Sequence, residues 1–152
     1  MMKPGIFLAI FLILVMIACK KDKFTTEPQV TVKSISPGSV SQGNLIKMKA
    51  KFTDDEGDLD SIFIVYKWYN GTIVTRKDTF RTSTAAFNLP AQTRQGDILV
   101  NFLYGISGGD YPQLPSSPVS KDTTSTLGLV LKDKAGHRSG YSESDPIRLK
   151  KN

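Results

Sequence analysis

The stretch "LIKMKAKF", residues 45–52, decides the fold. Ile46, Met48, Ala50 and Phe52 point one way, and Lys47, Lys49 and Lys51 point the other. That period of two is the mark of a half-buried strand. The same rule extends outward along the chain. Ile98, Val100, Phe102 and Tyr104 alternate with Leu99, Asn101 and Leu103; Leu127, Leu129 and Leu131 alternate with Gly128, Val130 and Lys132; Ile147 and Leu149 alternate with Arg148 and Lys150. Beyond residue 28 no segment keeps a helical period of about 3.6 over the length that a helix requires.

Turn residues divide these runs at regular distances. Pro37-Gly38, Gly43-Asn44, Asn70-Gly71, Gly96-Asp97, Gly108-Gly109 and the segment from Asp133 to Gly136 are the clearest. Asn70-Gly71 is a strong two-residue hairpin signal, because both residues tolerate positive φ. Strands are expected near 29–36, 44–53, 61–69, 72–77, 79–88, 97–105, 124–132 and 145–150. Residues 107–120, with three prolines and two glycines, form a long loop. This spacing predicts one all-β domain, an antiparallel sandwich of seven to eight strands.

The amino terminus reads MMKPGIFLAIFLILVMIACKKD. Lys3 gives a positive start, and Ile6 to Ala18 form an apolar run of 13 residues. A bilayer-spanning helix needs about 20 such residues. Thirteen fit the apolar region of a secretory signal peptide instead. Cys19, the only cysteine, ends the run after Met16-Ile17-Ala18. This resembles the lipobox of bacterial lipoproteins, in which the cysteine becomes the first mature residue and carries acyl chains. Met16 stands where leucine is usual. The resemblance implies a signal peptide over 1–18, a lipidated Cys19 with a polar tether over 19–28, and a folded domain over 29–152. Several acyl chains would hold the protein stably, where a single chain holds weakly. Lys20 after the cysteine resembles lipoproteins sent on to the outer membrane, on its periplasmic or cell-surface face.

The chain of 152 residues carries a formal net charge of +6. Loss of residues 1–18 removes Lys3 and no acid, leaving 19 basic against 14 acidic residues, or +5. Cys19 has no disulfide partner, so the fold must rest on its core.

The order "SPGSVSQGNLIKMKAKFTDDEGDLDSIFIVYKWYNG", with "LVLKDKAGHRS" further on, resembles Ig-like, PKD-like or cadherin-like modules of bacterial surface proteins. In those modules a strand ends in an acidic turn, the next carries a central tryptophan, and the penultimate strand ends in D-x-x-G-N. Here Asp54 to Asp60 form the turn, Trp68 is the tryptophan, and Asp133 and Gly136 match the last motif, with His137 in place of asparagine. With the lipobox, the combination resembles small surface lipoproteins of the Bacteroidetes. It implies an Ig-like sandwich and says little about activity.

Asp54, Asp55, Glu56, Asp58 and Asp60 crowd together in an otherwise basic chain. Calcium takes six to eight oxygen ligands, and Gly57 would let a short loop curl around the ion. The spacing is not that of an EF-hand, since aligning Gly57 with that loop's glycine puts Phe52 and Phe63 at its first and last ligand positions. A cadherin-like site would use several of these carboxylates with backbone carbonyls. The plainer alternative, and the weightier one here, is a solvated turn in which Asp and Gly serve backbone geometry. Asp133 joins the cluster only if an even number of strands separates the two loops; the segments counted above number five, so either one of them is not a strand or Asp133 lies at the far end.

Lys47, Lys49 and Lys51 form a basic row, read either as a contact for acidic polysaccharide or lipid, or as a solvated face or charged edge. Tyr66 and Trp68 share a face with Ile62 and Ile64 and are expected in the core. The other face of that strand, Phe63, Val65, Lys67 and Tyr69, implies a central strand or an interaction patch. Tyr104 and Tyr111, beside and within the long loop, are the candidates for stacking on sugar rings. Asp60-Ser61-Ile62 and Asp122-Thr123-Thr124 are similar to the O-glycosylation signal of Bacteroidetes proteins, with Thr123 and Ser61 as acceptors.

Catalysis has little support. Cys19 is consumed by lipid, His137 is the only histidine, and zinc would need more histidine and cysteine. The expected function is a non-catalytic structural or interaction module of the envelope, with calcium as its one candidate cofactor. The alternative is a glycan-binding accessory lipoprotein of an outer-membrane nutrient-uptake complex. The expected partners are the membrane, through lipid, and an envelope protein or polysaccharide; an exported protein has no address for nucleic acid.

Overall fold

The computed structural model describes residues 25–106, 112–116 and 121–151. The signal segment, Cys19 and Tyr111 lie outside the described residues. Among the described residues ten strands are present: β1 (Gln29–Ser36), β2 (Ser39–Val40), β3 (Leu45–Thr53), β4 (Leu59–Asn70), β5 (Ile73–Ser83), β6 (Gln95–Tyr104), β7 (Gln113–Leu114), β8 (Thr123–Asp133), β9 (Ser142–Glu143) and β10 (Ile147–Leu149). They exceed the expected seven to eight because β2, β7 and β9 are two-residue strands. One sheet runs β1-β3-β6-β7 and the other β2-β10-β8-β4-β5, with β9 also on β8. All pairings are antiparallel except β2 with β10 and β6 with β7.

The inward rows read from the sequence form the core. Ile46, Met48 and Ala50 of β3 stand opposite Phe102, Val100 and Ile98 of β6. Ile62, Ile64 and Tyr66 of β4 stand opposite Leu131, Leu129 and Leu127 of β8. All twelve are buried. Each of the large aliphatic and Phe side chains among them contributes about 1.5–3 kcal/mol by leaving water, so the facing rows hold the sheets together. Trp68 is buried, its ring 5.4 Å from that of Tyr66, and the Arg76 guanidinium lies 4.7 Å from its centroid.

One expectation needs correction, and two pairs of alternatives are decided: the lysines form a solvated face, and β4 is a central strand. The segments 72–77 and 79–88 are one continuous strand, β5, followed by a short 3-10 turn at Thr84–Phe87. Asp78, a turn-favouring residue, stays in the strand because its carboxylate accepts the Tyr66 hydroxyl at 3.0 Å across the β4–β5 pair. The lysine row does not guard an edge, since β3 lies between β1 and β6; Lys47, Lys49 and Lys51 are a solvated outer face, with Lys49 paired to Asp97 at 3.1 Å. Nor is the outer face of β4 an open patch. The returning segment around residues 138–143 covers it, with Tyr141 packed over Gly128 and Arg138 4.8 Å from the Phe63 ring. Lys67 lies 4.6 Å from the Tyr141 ring and pairs with Glu143 at 2.9 Å.

With β5 a single strand, four long strands separate the acidic turn from Asp133: β4, β5, β6 and β8. Their even number returns Asp133 to the end of the sandwich that holds the turn.

Candidate metal centre

The turn after β3 is fixed on three sides. The Asp54 N–H donates to the Arg94 carbonyl at 2.7 Å, and the Lys134 N–H donates to the Asp58 carbonyl at 3.1 Å. Gly57, at φ +68, lies directly against the backbone of Gln92. The Asp58 N–H then donates to Asp54 Oδ2 at 2.9 Å, closing a tight loop around residues 54–58.

Three carboxylates converge there. One oxygen each from Glu56, Asp58 and Asp133 lie within 4.8 Å of one another. Ligands at about 2.3–2.6 Å from one calcium ion are at most about twice that far apart, so these oxygens fit a shared ion. Asp54 sits behind them, 1% exposed, and its Oδ1 is buried without a hydrogen-bond partner; Asp58 Oδ1 is in the same condition. Burial pushes the Asp54 carboxyl above its ordinary value, opposed by the Asp58 N–H and reinforced by the charges of Asp58, Asp133 and Glu56. A buried carboxylate among like charges favours a proton or a cation over standing bare.

Asp133 differs, because it has a partner of its own. Burial would raise its carboxyl, but the His137 ring and backbone N–H and the Gly136 N–H together hold it below the ordinary range. The same pairing raises the His137 imidazole, chiefly through the ring contact with Asp133. His137 is therefore a turn residue that secures Asp133, a role invisible in the sequence because its four-residue spacing matters only once the turn has closed.

Not every acid of the predicted cluster belongs. Asp55 is exposed. Asp60 is already inside β4, bound to Arg81 at 3.0 Å and to the Ser61 hydroxyl at 3.0 Å. The converging carboxylates are those of Glu56, Asp58 and Asp133, with the Asp54 carboxyl buried near them.

The other predicted sites fare differently. Tyr104 is 2% exposed and belongs to the core, its hydroxyl 3.4 Å from the Lys150 carbonyl; it offers no face to a sugar. Its place in the inward row with Ile98, Val100 and Phe102 overrides its nearness to the loop. Ser61 is buried, which removes it as an acceptor for glycosylation. Thr123 lies half-buried in β8, with its hydroxyl donated to the Tyr69 carbonyl at 2.7 Å, so strand pairing occupies the position expected to be a free loop.

No family model matches the chain, and no curated protein matches it. Among solved structures it is similar to the sporulation control protein of Bacillus subtilis (10% identity, TM-score 0.45, covering 84% of this chain and 51% of that one). It is also similar to a Niemann-Pick type C2 protein from Japanese carpenter ant (10%, 0.46, 86% and 98%). A third is a CARDB domain from Pyrococcus furiosus solved in complex with di-metal ions (12%, 0.31, 87% and 95%). The chain spans about half the length of the sporulation protein. Likenesses this distant bear on neither ligand nor activity.

Proposed function

We propose that this protein is a non-catalytic interaction module of a bacterial envelope, lipid-anchored through Cys19 and stiffened by calcium at the tip of its sandwich. The observation that carries the calcium reading is the buried, unpartnered Oδ1 of Asp54 behind Glu56, Asp58 and Asp133. Bound there, the ion would join the turn after β3 to the turn after β8, one from each sheet, and so fix the surface presented at that end. The anchor reading rests on the lipobox-like run before Cys19, and Lys20 after it supports an outer-membrane address.

The test is thermal unfolding of the full chain in detergent micelles, in chelator and across a calcium series at fixed ionic strength. Calcium at about 100 times Kd adds about 2.7 kcal/mol to stability. A saturable rise that magnesium fails to match and that Asp58→Asn abolishes supports the site; a flat response reduces the acidic stretch to a turn. Labelling with a radioactive fatty acid tests the anchor, which Cys19→Ser should eliminate.

A further inference from the structure

The chain enters the sandwich at the end that holds the acidic turn. Strand β1 begins at Gln29, which stands in register with Thr53, the residue just before Asp54. The chain is already fixed there before β1 starts. Pro28 is buried, and the Gln29 side-chain amide donates to the Thr25 hydroxyl at 3.2 Å. From Cys19 to Thr25 is six residues (25 − 19). Fully extended, they reach at most about 22 Å. Strand β4 leaves the same end at Leu59 and runs twelve residues to Asn70. At about 3.3 Å per residue it is about 40 Å long. With Cys19 held in a bilayer, the link is shorter than β4. The domain therefore cannot stand with its Gly71-Thr72 turn toward the bilayer and its acidic turn away from it.

We infer that the acidic tip docks, through calcium, on the anionic phosphate headgroups of the membrane that holds Cys19. The inference rests on the anchor and calcium readings above and names the partner of the metal-bearing tip. The buried Oδ1 atoms of Asp54 and Asp58, without hydrogen-bond partners, point to a cation there and not to a solvated turn. One oxygen from each of Glu56, Asp58 and Asp133 leaves at least three of calcium's six to eight positions to other oxygens. Asp133 is buried and Asp58 half-buried, whereas Glu56 is exposed, so the cluster meets solvent at Glu56. Exposed cations flank it. Arg94 accepts the Asp54 N–H on its carbonyl, and Lys134 donates its own N–H to the Asp58 carbonyl. The link to the anchor adds Lys20, Lys21 and Lys23. Cations within a Debye length of an anionic surface are drawn to it. Without the ion, the carboxylates of Asp55, Glu56 and Asp58 oppose that attraction. With the ion bound, headgroup phosphate oxygens complete its coordination. An uncharged partner would use neither the flanking cations nor the remaining positions of the ion. Calcium thus decides whether the tip stands off the headgroups or rests on them.

The full chain, expressed in bacteria and purified from their membranes, is placed in vesicles that carry a lipid spin-labelled on its headgroup. The vesicles are phosphatidylcholine alone or equal parts phosphatidylcholine and phosphatidylglycerol. A fluorophore is attached through Ala91→Cys, exposed beside the Gln92 that abuts Gly57, or through Thr72→Cys at the far turn. In calcium and phosphatidylglycerol, the fluorophore at position 91 should be quenched and the one at 72 should not. Chelator, phosphatidylcholine alone, and Asp58→Asn should each relieve the quenching at 91. Thermal unfolding in chelator verifies that Asp58→Asn is folded. Equal quenching at both positions, stronger quenching at 72, or quenching at 91 that ignores calcium and headgroup charge overturns the inference. If Cys19 takes up the fatty-acid label and calcium raises the unfolding temperature, such a result sinks this inference alone. Loss of the label or of the calcium response sinks the underlying reading with it.

Discussion

Gly57 lies so close to Gln92 that a β-carbon at position 57 would stand 2.8 Å from the Gln92 carbonyl oxygen. Its φ of +68 also places it where L-residues with side chains rarely sit. Both constraints fall on the one glycine in the acidic turn. Gly57→Ala should therefore cost about 2–3 kcal/mol in urea unfolding, combining backbone strain with the displacement of a neighbouring loop. The same variant should lose much of any calcium-induced stabilisation, because Glu56 and Asp58 move with that backbone. Wild-type stability in Gly57→Ala would mean that the 54–58 and 90–94 loops are not held together.

Asp54 offers a prediction of opposite sign. Its charge is buried among three other carboxylates, and asparagine at that position keeps an acceptor for the Asp58 N–H while removing the charge. In chelator, Asp54→Asn should unfold at the same temperature as the wild type or a higher one. In calcium the order should reverse, since the wild type gains the ion and the variant does not. With calcium at about 100 times Kd the reversal should be roughly ten degrees for a domain of this size. Parallel melting curves for the two proteins in both conditions would exclude Asp54 from any metal site.

The sandwich itself was legible in the chain because strands such as β3 and β6 bury only one face. In "LIKMKAKF" every second residue must leave water, and the alternation records that demand. The edge strand β5 carries no such record. Neither of its faces is well covered, so "IVTRKDTFRTS" has no period to read, and Asp78 looks like a break until the Tyr66 hydroxyl is found on it. That one misreading also left the place of Asp133 open, since the end of the sandwich at which a loop emerges depends on the strand count before it. The identity of the metal ligands was only partly visible for a related reason. Sequence shows five crowded acids, but the distinction between Asp54, sealed beneath the turn, and Asp60, paired with Arg81, arises from the direction in which each side chain leaves the backbone.

Tyr104 tests the glycan-stacking role expected from the sequence. It is a core residue, so Tyr104→Ala should cost about 3–5 kcal/mol, as for other large-to-small changes of buried aromatics. Chemical denaturation measures that cost, and a variant that keeps wild-type stability would return Tyr104 to the surface.

Glu143 supplies the pH dependence. Burial would raise its carboxyl, but the Thr126 hydroxyl, Lys67 and the Tyr141 hydroxyl outweigh that effect and hold it below its ordinary value of 4.5. A carboxyl depressed in the folded state contributes stability above its unfolded value and loses it as pH falls through the folded one. Stability should therefore be level near neutral pH with respect to this group and decline in the acid range below about 4.5. Glu143→Gln removes the ion pair with Lys67, both of whose side chains are less than one-third exposed (18% and 32%). It should cost about 1–2 kcal/mol at neutral pH, within the range for hydrogen bonds to a charged group. Below the folded-state value the two proteins should converge, because protonated glutamic acid and glutamine are then alike in charge. Urea unfolding at neutral and acid pH measures both limits, and a wild-type-minus-variant difference that persists unchanged in acid would show that Glu143 acts through its shape and not its charge.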